Sequence, residues 1–331
     1  MRIAINGLGR IGRAALRVAV ERPKVEVVAV NDLADLETLR YLLKYDSVYG
    51  KFDCADELGR SIKVLSEKDP ESLPWADLGV DVVIESTGHF TDKVGAAKHL
   101  HAGAKKVVIS ANSKDADLSV VMGVNHQQYN PSEHNVIANC SCTTNAAAPV
   151  MKILNDNFTI RKAYMTTIHA VTSTQNLVDG PNKKLRRGRA AFTSIIPTTT
   201  GAADAVVRVL PELEDRITGA AFRVPVLCGS VLEVVAHIAK ETSIEEVNEV
   251  FKKASEESFK EIIAVNDEGL VSRDIIGTTA SAIIDLPLTE VINFPEVKDE
   301  NLVRVVAWYD NEYAYAVRLV DLVELVGKGV S

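Results

Sequence analysis

Cys142 stands in the run Asn139-Cys140-Ser141-Cys142-Thr143-Thr144-Asn145, just ahead of a stretch with helical composition over 146–155. A thiol at a helix N-terminus faces the positive end of the helix dipole, which favours thiolate. His169 closes a β-rich run, Met165-Thr166-Thr167-Ile168. An imidazole beside the sulfur would lower the thiol pKa further and would move a proton at neutral pH. This is the chemistry of a covalent nucleophile and its base. Residue type alone leaves a plainer reading open, with Cys142 a small buried hydrophobe and His169 a structural strand-end histidine. Cys140 and Cys142 as half a metal site lack a second Cys/His pair nearby, so no metal is expected. No G-x-S-x-G turn sits between a strand and a helix, which argues against a serine hydrolase.

A second chemical signal is Gly7-Leu8-Gly9-Arg10-Ile11-Gly12, a G-x-G-x-x-G turn after a strand and opening a helix. The first glycine permits the tight turn, the second lets the backbone approach a pyrophosphate, and the third lets helix and strand pack closely. The helix N-terminus then offers unpaired N–H groups to the anion. Asp32, twenty positions past Gly12 at the end of the second strand, suits the adenosine ribose hydroxyls. A carboxylate there repels a 2′-phosphate, so NAD is expected rather than NADP.

These groups need a scaffold. The first half alternates β-branched runs with amphipathic stretches: strands over 3–6, 25–31, 82–85 and 106–110, and helices over 10–21, 35–44 and 91–102. Thr91 is the expected N-cap of the last helix and Gly103 its stop. This pattern predicts an α/β Rossmann-type doubly wound parallel sheet. The second half carries extended runs at 163–170, 222–226, 230–240, 278–285 and 302–308. One strong helix lies among them, opened by a Ser243/Glu246 capping box. That predicts an α+β domain with a largely antiparallel sheet. A closing helix over 313–326 has apolar residues on one face. The expected domains are 1–141, completed by the C-terminal helix at 313–331, and 142–312.

Two domains suit 331 residues, and 47% hydrophobic residues suit a globular protein with a large core. A formal charge of −8 disfavours a nucleic-acid partner. The N-terminus runs straight into a strand without the pattern of a signal peptide, and no run approaches the roughly 18 apolar residues of a membrane span. No membrane association is expected. Four cysteines, Cys54, Cys140, Cys142 and Cys228, do not make a disulfide framework, and a reducing cytoplasm is the expected location.

At this point the chain resembles the glyceraldehyde-3-phosphate dehydrogenase family along nearly its whole length. The resemblance is carried by residues 5–13, Leu42-Leu43-Lys44-Tyr45-Asp46-Ser47, Glu85-Ser86-Thr87-Gly88, Ser141-Cys142-Thr143-Thr144-Asn145, Thr198-Thr199-Thr200-Gly201-Ala202-Ala203, Phe222-Arg223-Val224-Pro225 and Trp308-Tyr309-Asp310-Asn311-Glu312. It implies that Cys142 attacks an aldehyde to give a thiohemiacetal, with His169 taking the proton. Hydride transfer to NAD leaves a thioester, which inorganic phosphate cleaves to an acyl phosphate. The Cys142 N–H and protonated His169 would hold the oxyanion. The implied substrate is glyceraldehyde 3-phosphate. Thr172 and Arg223 would hold its phosphate; Ser141, Thr143, Thr200 and Gly201 would surround the inorganic one, with Arg187 close by. Asn311 would bind the nicotinamide carboxamide, and Thr87, Gly88, Ser110 and Tyr315 would line the cofactor site. Residues 171–195 resemble the family's S-shaped loop, which implies a homotetramer.

Three departures from the family pattern stand out. Cys140 replaces a usual alanine, Ala146 stands where many relatives have a second cysteine, and Tyr313-Ala314-Tyr315-Ala316 lacks a usual glycine. The enzyme alternative is erythrose-4-phosphate dehydrogenase, which generally loses the threonine at 172 and the threonines before Gly201. An arsenate-linked member shares the same site pattern. A non-enzymatic binding protein on this scaffold would have no need of the thiol.

Overall fold

A computed structural model describes residues 1–292 and 301–329. Residues 293–300 of the expected 142–312 span, and 330–331 of the expected 313–331 span, lie outside the described residues. By its internal contacts the chain divides into two compact units: Met1–Ser141 with the segment from Tyr315 onward, and Cys142–Ala314.

The first unit contains β1 (Arg2–Asn6), α1 (Arg10–Ala19), β2 (Glu26–Asn31), α2 (Leu36–Lys44), the short pair β3 (Tyr45–Asp46) and β4 (Gly50–Lys51), and β5 (Lys63–Leu65). It continues with β6 (Val82–Glu85), α3 (Lys93–His101), β7 (Lys106–Ile109), β8 (Leu118–Ser119) and β9 (Val136–Ala138). The sheet order is β5-β2-β1-β6-β7-β9-β8, and every pairing is parallel. Strand order reverses between β1 and β6, so the carboxyl ends of these two strands form the switch point where such sheets bind ligands. Val82, Val83 and Ile84 are fully buried, as are Val107, Val108 and Ile109. Parallel strands covered on both faces read as continuous apolar runs for this reason, and each such side chain contributes about 1.5–3 kcal/mol.

The second unit opens with α4 (Cys142–Phe158) and β10 (Ile160–His169), followed by β11 (Ile196–Thr198), α5 (Ala202–Val209), β12 (Ile217–Arg223) and β13 (Ser230–Ile238). Then come α6 (Ile244–Glu256), β14 (Ile263–Asn266), β15 (Ala282–Asp285), β16 (Glu290–Ile292), β17 (Asn301–Tyr309) and α7 (Tyr313–Gly327), which carries the chain back to the first unit. The sheet is mixed: β10–β12 and β14–β15 are parallel, while the other described pairings are antiparallel. β13 alternates buried and half-buried positions, which places Leu232, Val234, Ala236 and Ile238 on the core face.

Several boundaries differ from the sequence expectation. The N-cap of α3 is Asp92, whose carboxylate accepts from Gly95 N–H, rather than Thr91; the two are adjacent and both cap well. α4 starts at Cys142, four residues before 146, because the threonines and Asn145 that lower helix propensity are all buried there. α5 was not expected as a helix; it lies between the parallel strands β10 and β12, which need a crossover connection. β12 ends at Arg223 rather than extending to 226, and β15 starts at Ala282 rather than 278. The Ser243 cap is present, but Glu246 accepts from Thr242 Oγ1, so only half of the reciprocal box is seen. α7 is buried on most sides, including Arg318, rather than along one face.

Candidate active site

The expected nucleophile and base come from consecutive elements of the second unit. Cys142 is the first residue of α4, and His169 is the last of β10. Cys140 precedes the helix in left-handed backbone, φ 56°, an unusual conformation for a side chain with a Cβ, and is fully buried. The Cys142 sulfur lies 3.3 Å from His169 Nε2. On the other side of the ring, His169 Nδ1 is 2.7 Å from the Ala170 carbonyl oxygen. With the proton on Nδ1, donated to that carbonyl, Nε2 is left able to accept the thiol proton.

Electrostatics support a neutral pair. Burial pushes the Cys142 thiol up, while the Arg223 charge and hydrogen bonds from Thr143 pull it down. The expected thiolate is thus opposed by desolvation, the largest influence on the sulfur. Burial, and then Arg223, push His169 down to about 3. An imidazole held neutral can receive a proton from sulfur at the moment of attack.

Around this pair lies a ribbon of cations and hydroxyls. Arg223 Nη1 reaches His169 Nδ1 at 3.0 Å, donates to Ala170 O at 2.9 Å, and donates to Thr172 Oγ1 at 3.1 Å. Thr172 meets Thr174 at 2.9 Å, and Arg187 donates to Thr174 and Thr198, both at 3.0 Å. Lys184 donates to Thr199 at 3.0 Å. None of Lys184, Arg187 and Arg223 is paired with a carboxylate among the described residues. The pKa of Lys184 is lowered by burial and by both arginines. Unneutralised cations among hydroxyls make an anion site. Thr200 and Gly201 stand at the start of α5; the Thr200 hydroxyl accepts from Ala202 N–H, and the face of Gly201 is open.

Asn311 follows β17 and is buried, with its Oδ1 accepting from Ser230 Oγ at 2.9 Å. The same Ser230 oxygen accepts the Ala170 N–H. This fixes the Asn311 carbonyl and turns its amide N–H groups the other way.

In the first unit a cleft of about 460 Å³ is lined by residues following β1, β2 and β6: Gly7, Gly9, Asp32, Ser86 and Thr87, with Phe90 at its side. The three glycines differ in the reason each is needed. A Cβ on Gly7, whose φ is +93°, would meet Thr87 backbone at 2.8 Å, and one on Gly12 would fall 1.9 Å from Gly7 O. A Cβ on Gly9 meets nothing within 4 Å, so its open face leaves room for the backbone to receive a pyrophosphate. Asp32 accepts from Leu8 and Ala34 N–H groups. Its carboxylate is thereby held at the strand end, as ribose binding requires, and the cleft fits a dinucleotide.

Not every expected cofactor residue lies in that cleft. The Arg10 side chain pairs with Asp46, and Arg10 and Ile11 form the first turn of α1 directly after Gly9. Gly88 takes a left-handed φ of 74° just beyond Thr87. Ser110 follows β7, its N–H on Glu85 O, and is not part of the cleft wall. Tyr315 is buried, with its hydroxyl donating to Cys140 O at 2.9 Å, and Ser141 is the last residue of the first unit.

Two groups of functional weight were not singled out from sequence. One is Tyr309, buried with its ring edge-on to His169 at 6.1 Å. The other is a buried chain beneath the cleft: Trp75 Nε1 donates to His99 Nδ1, His99 Nε2 meets Glu85 Oε2, and Asn6 Nδ2 donates to that same oxygen. Glu85 also accepts from Thr87 N–H. Polar residues inside otherwise apolar strands, Asn6 and Glu85, were the available signal.

Comparison with known proteins agrees with this arrangement. Residues 1–93 match the model described as glyceraldehyde 3-phosphate dehydrogenase, NAD binding domain, and residues 141–311 match the C-terminal domain of the same family. The chain is 51% identical to a glyceraldehyde-3-phosphate dehydrogenase of Geobacillus stearothermophilus, with 97% of each chain covered. It is 50% identical to glyceraldehyde-3-phosphate dehydrogenase 1 of Bacillus cereus, again with 97% of each covered. It is 48% identical to the Streptomyces coelicolor enzyme of that name, over 99% of this chain and 98% of the relative. With a switch-point dinucleotide cleft, a cysteine–histidine pair and unneutralised cations in a chain so similar throughout, this protein belongs to the glyceraldehyde-3-phosphate dehydrogenase family.

Proposed function

We propose that this protein is an NAD-dependent, phosphorylating glyceraldehyde-3-phosphate dehydrogenase. The observation that carries the reading is the 3.3 Å approach of the Cys142 sulfur to a neutral His169 Nε2, beside three cations that have no carboxylate partner among the described residues. Cys142 attacks the aldehyde carbon as His169 takes the thiol proton, and the Cys142 N–H steadies the oxyanion. NAD, when bound, accepts the hydride that leaves this carbon. Inorganic phosphate then displaces the sulfur from the thioester, giving an acyl phosphate and the free thiol.

In this reading 1–141, completed by 313–331, holds NAD, and 142–312 carries the covalent chemistry. Gly7, Gly9, Arg10, Ile11 and Gly12 receive the pyrophosphate, Asp32 the ribose, and Thr87, Gly88, Ser110, Asn311 and Tyr315 complete the cofactor set. Thr172 and Arg223 take the substrate phosphate. Ser141, Thr143, Thr200 and Gly201, with Arg187, take the attacking one. The exposed apolar side chains Leu177, Val178, Leu185 and Ile195 support packing of the 171–195 loop on another copy in a homotetramer. A cytoplasmic location suits a thiol enzyme, since the nucleophile needs reducing surroundings.

The test is NAD reduction with glyceraldehyde 3-phosphate, with and without inorganic phosphate, and with erythrose 4-phosphate as competing aldehyde. Phosphate-dependent turnover that favours the triose is expected. Turnover indifferent to phosphate, or favouring the tetrose, would overturn the reading. Light scattering in solution tests the tetramer.

A further inference from the structure

We propose that Tyr309 is a positioning residue for the nucleophile: it accepts the Thr167 hydroxyl proton and donates its own to Thr143, turning the Thr143 proton toward the Cys142 sulfur. The inference rests on Cys142 being the nucleophile.

The geometry is a row of hydroxyls crossing three elements. Thr167, near the end of β10, lies 2.7 Å from the Tyr309 hydroxyl, and Thr143, in the first turn of α4, lies 3.0 Å from it. Thr143 directly follows Cys142 at the start of α4, and its side chain pulls the Cys142 thiol down. Thr167 and Tyr309 are each 1% exposed and Thr143 5%, so bulk water does not compete for these bonds. Each hydroxyl carries one proton, and once the thiol has ionised its sulfur can only accept. The direction of the row then follows: Thr143 donates to sulfur, Tyr309 donates to Thr143, and Thr167 donates to Tyr309. Hydroxyls aligned in one sense polarise one another, which strengthens the last bond, the one to sulfur.

The row also ties together the two elements that bring sulfur and imidazole within reach. β17 supplies the phenol, α4 the sulfur and β10 the imidazole. The charged and titratable groups acting on the sulfur are His169 from β10, Arg223 from β12 and Tyr309 itself from β17; Arg187 acts on His169 from the 171–195 loop. A phenylalanine at 309 keeps the ring edge against His169 and removes only the hydroxyl.

The experiment follows iodoacetamide alkylation of Cys142 against pH, read on its own peptide apart from the exposed Cys54, without aldehyde or NAD, in the parent, Tyr309→Phe and Thr167→Val. Tyr309→Phe is expected to raise the apparent thiol pKa by about half to one unit, the effect of one lost hydrogen bond to the charged form. kcat falls by up to about tenfold while KM for NAD holds. Thr167→Val, which leaves Tyr309 and Thr143 in place, gives a smaller shift of the same sign. A folded Tyr309→Phe with the parental alkylation profile overturns the proposal. Should that variant not fold, Thr167→Val decides, and an unshifted profile overturns it. Alkylation reads the sulfur directly, so a failure of the dehydrogenase reading would show separately, as a parent protein without turnover.

Discussion

Arg223 Nη1 lies 3.0 Å from His169 Nδ1, so a fixed positive charge faces the imidazole on the side away from the sulfur. That charge and burial together hold the ring neutral. In the folded protein His169 titrates near 3, against an ordinary value of 6.5. The unfolded chain therefore binds more protons between these limits. The contribution of His169 to stability is complete above pH 6.5 and is lost as pH falls toward 3. Arg223→Met should raise the folded pKa and shrink this window. Urea unfolding at stepped pH, with His169→Asn as control, checks it; a parent and control with the same acid slope would refute the assignment.

For the chemistry itself, Cys142→Ser is expected to abolish turnover while alkylation of the exposed Cys54 continues. His169→Asn should lower kcat by about 10²–10⁴-fold, the usual worth of a general base, with little change in KM. Steady-state and single-turnover kinetics distinguish these outcomes from loss of fold.

The glycine turn offers a contrast within six residues. Gly12→Ala places a methyl group 1.9 Å from a backbone carbonyl, and a cost of about 1–3 kcal/mol is expected for the overpacking. Gly9→Ala meets no atom within 4 Å, so its melting temperature should stay close to the parent's while NAD affinity falls. Thermal melts and NAD titrations of both variants check this. Unchanged NAD affinity in Gly9→Ala would remove the pyrophosphate from that face.

Asp32→Ala is expected to raise kcat/KM for NADP relative to NAD, because the carboxylate that repels a 2′-phosphate is gone. Some stability should be lost too, since Asp32 accepts two backbone N–H groups, at 2.7 and 3.0 Å. Competition kinetics with both dinucleotides provide the measurement. An unchanged preference would show that another group controls the ribose site.

The buried His99 makes a fifth case. His99→Ala leaves the Trp75 indole and one Glu85 oxygen short of a partner in a fully buried place, at a cost of about 1–3 kcal/mol. Because Glu85 also holds Thr87 at the cleft, KM for NAD should rise with it. Denaturant unfolding and kinetics on one preparation test both effects.

Much of this protein was legible in one dimension because its signals are local. The β-branched runs of β6 and β7, the glycine spacing of the first turn and the family-specific run around Cys142 need no distant residue to be read. The parallel first sheet and the largely antiparallel character of the second follow from such runs, while the parallel β10–β12 and β14–β15 pairings do not. Helix starts were harder. The first turn of α4 holds threonines and an asparagine, and α5 is a single eight-residue helix; burial and the sheet crossover stabilise both, not propensity.

What the residues determined by themselves was the kind of chemistry: a thiol, an imidazole, hydroxyls and arginines of the types that hold phosphate, and a carboxylate at the end of the second strand. What only the tertiary structure decided was their protonation and aim. Cys142 and His169 are 27 positions apart, and Arg223 and Tyr309 are farther still. The Nδ1 tautomer, the depressed imidazole, the elevated thiol and the row of hydroxyls behind it arise from desolvation and from charges that strands separated in sequence bring together. No sequence pattern encodes these, because solvation and Coulomb interactions depend on distances through space, not along the chain.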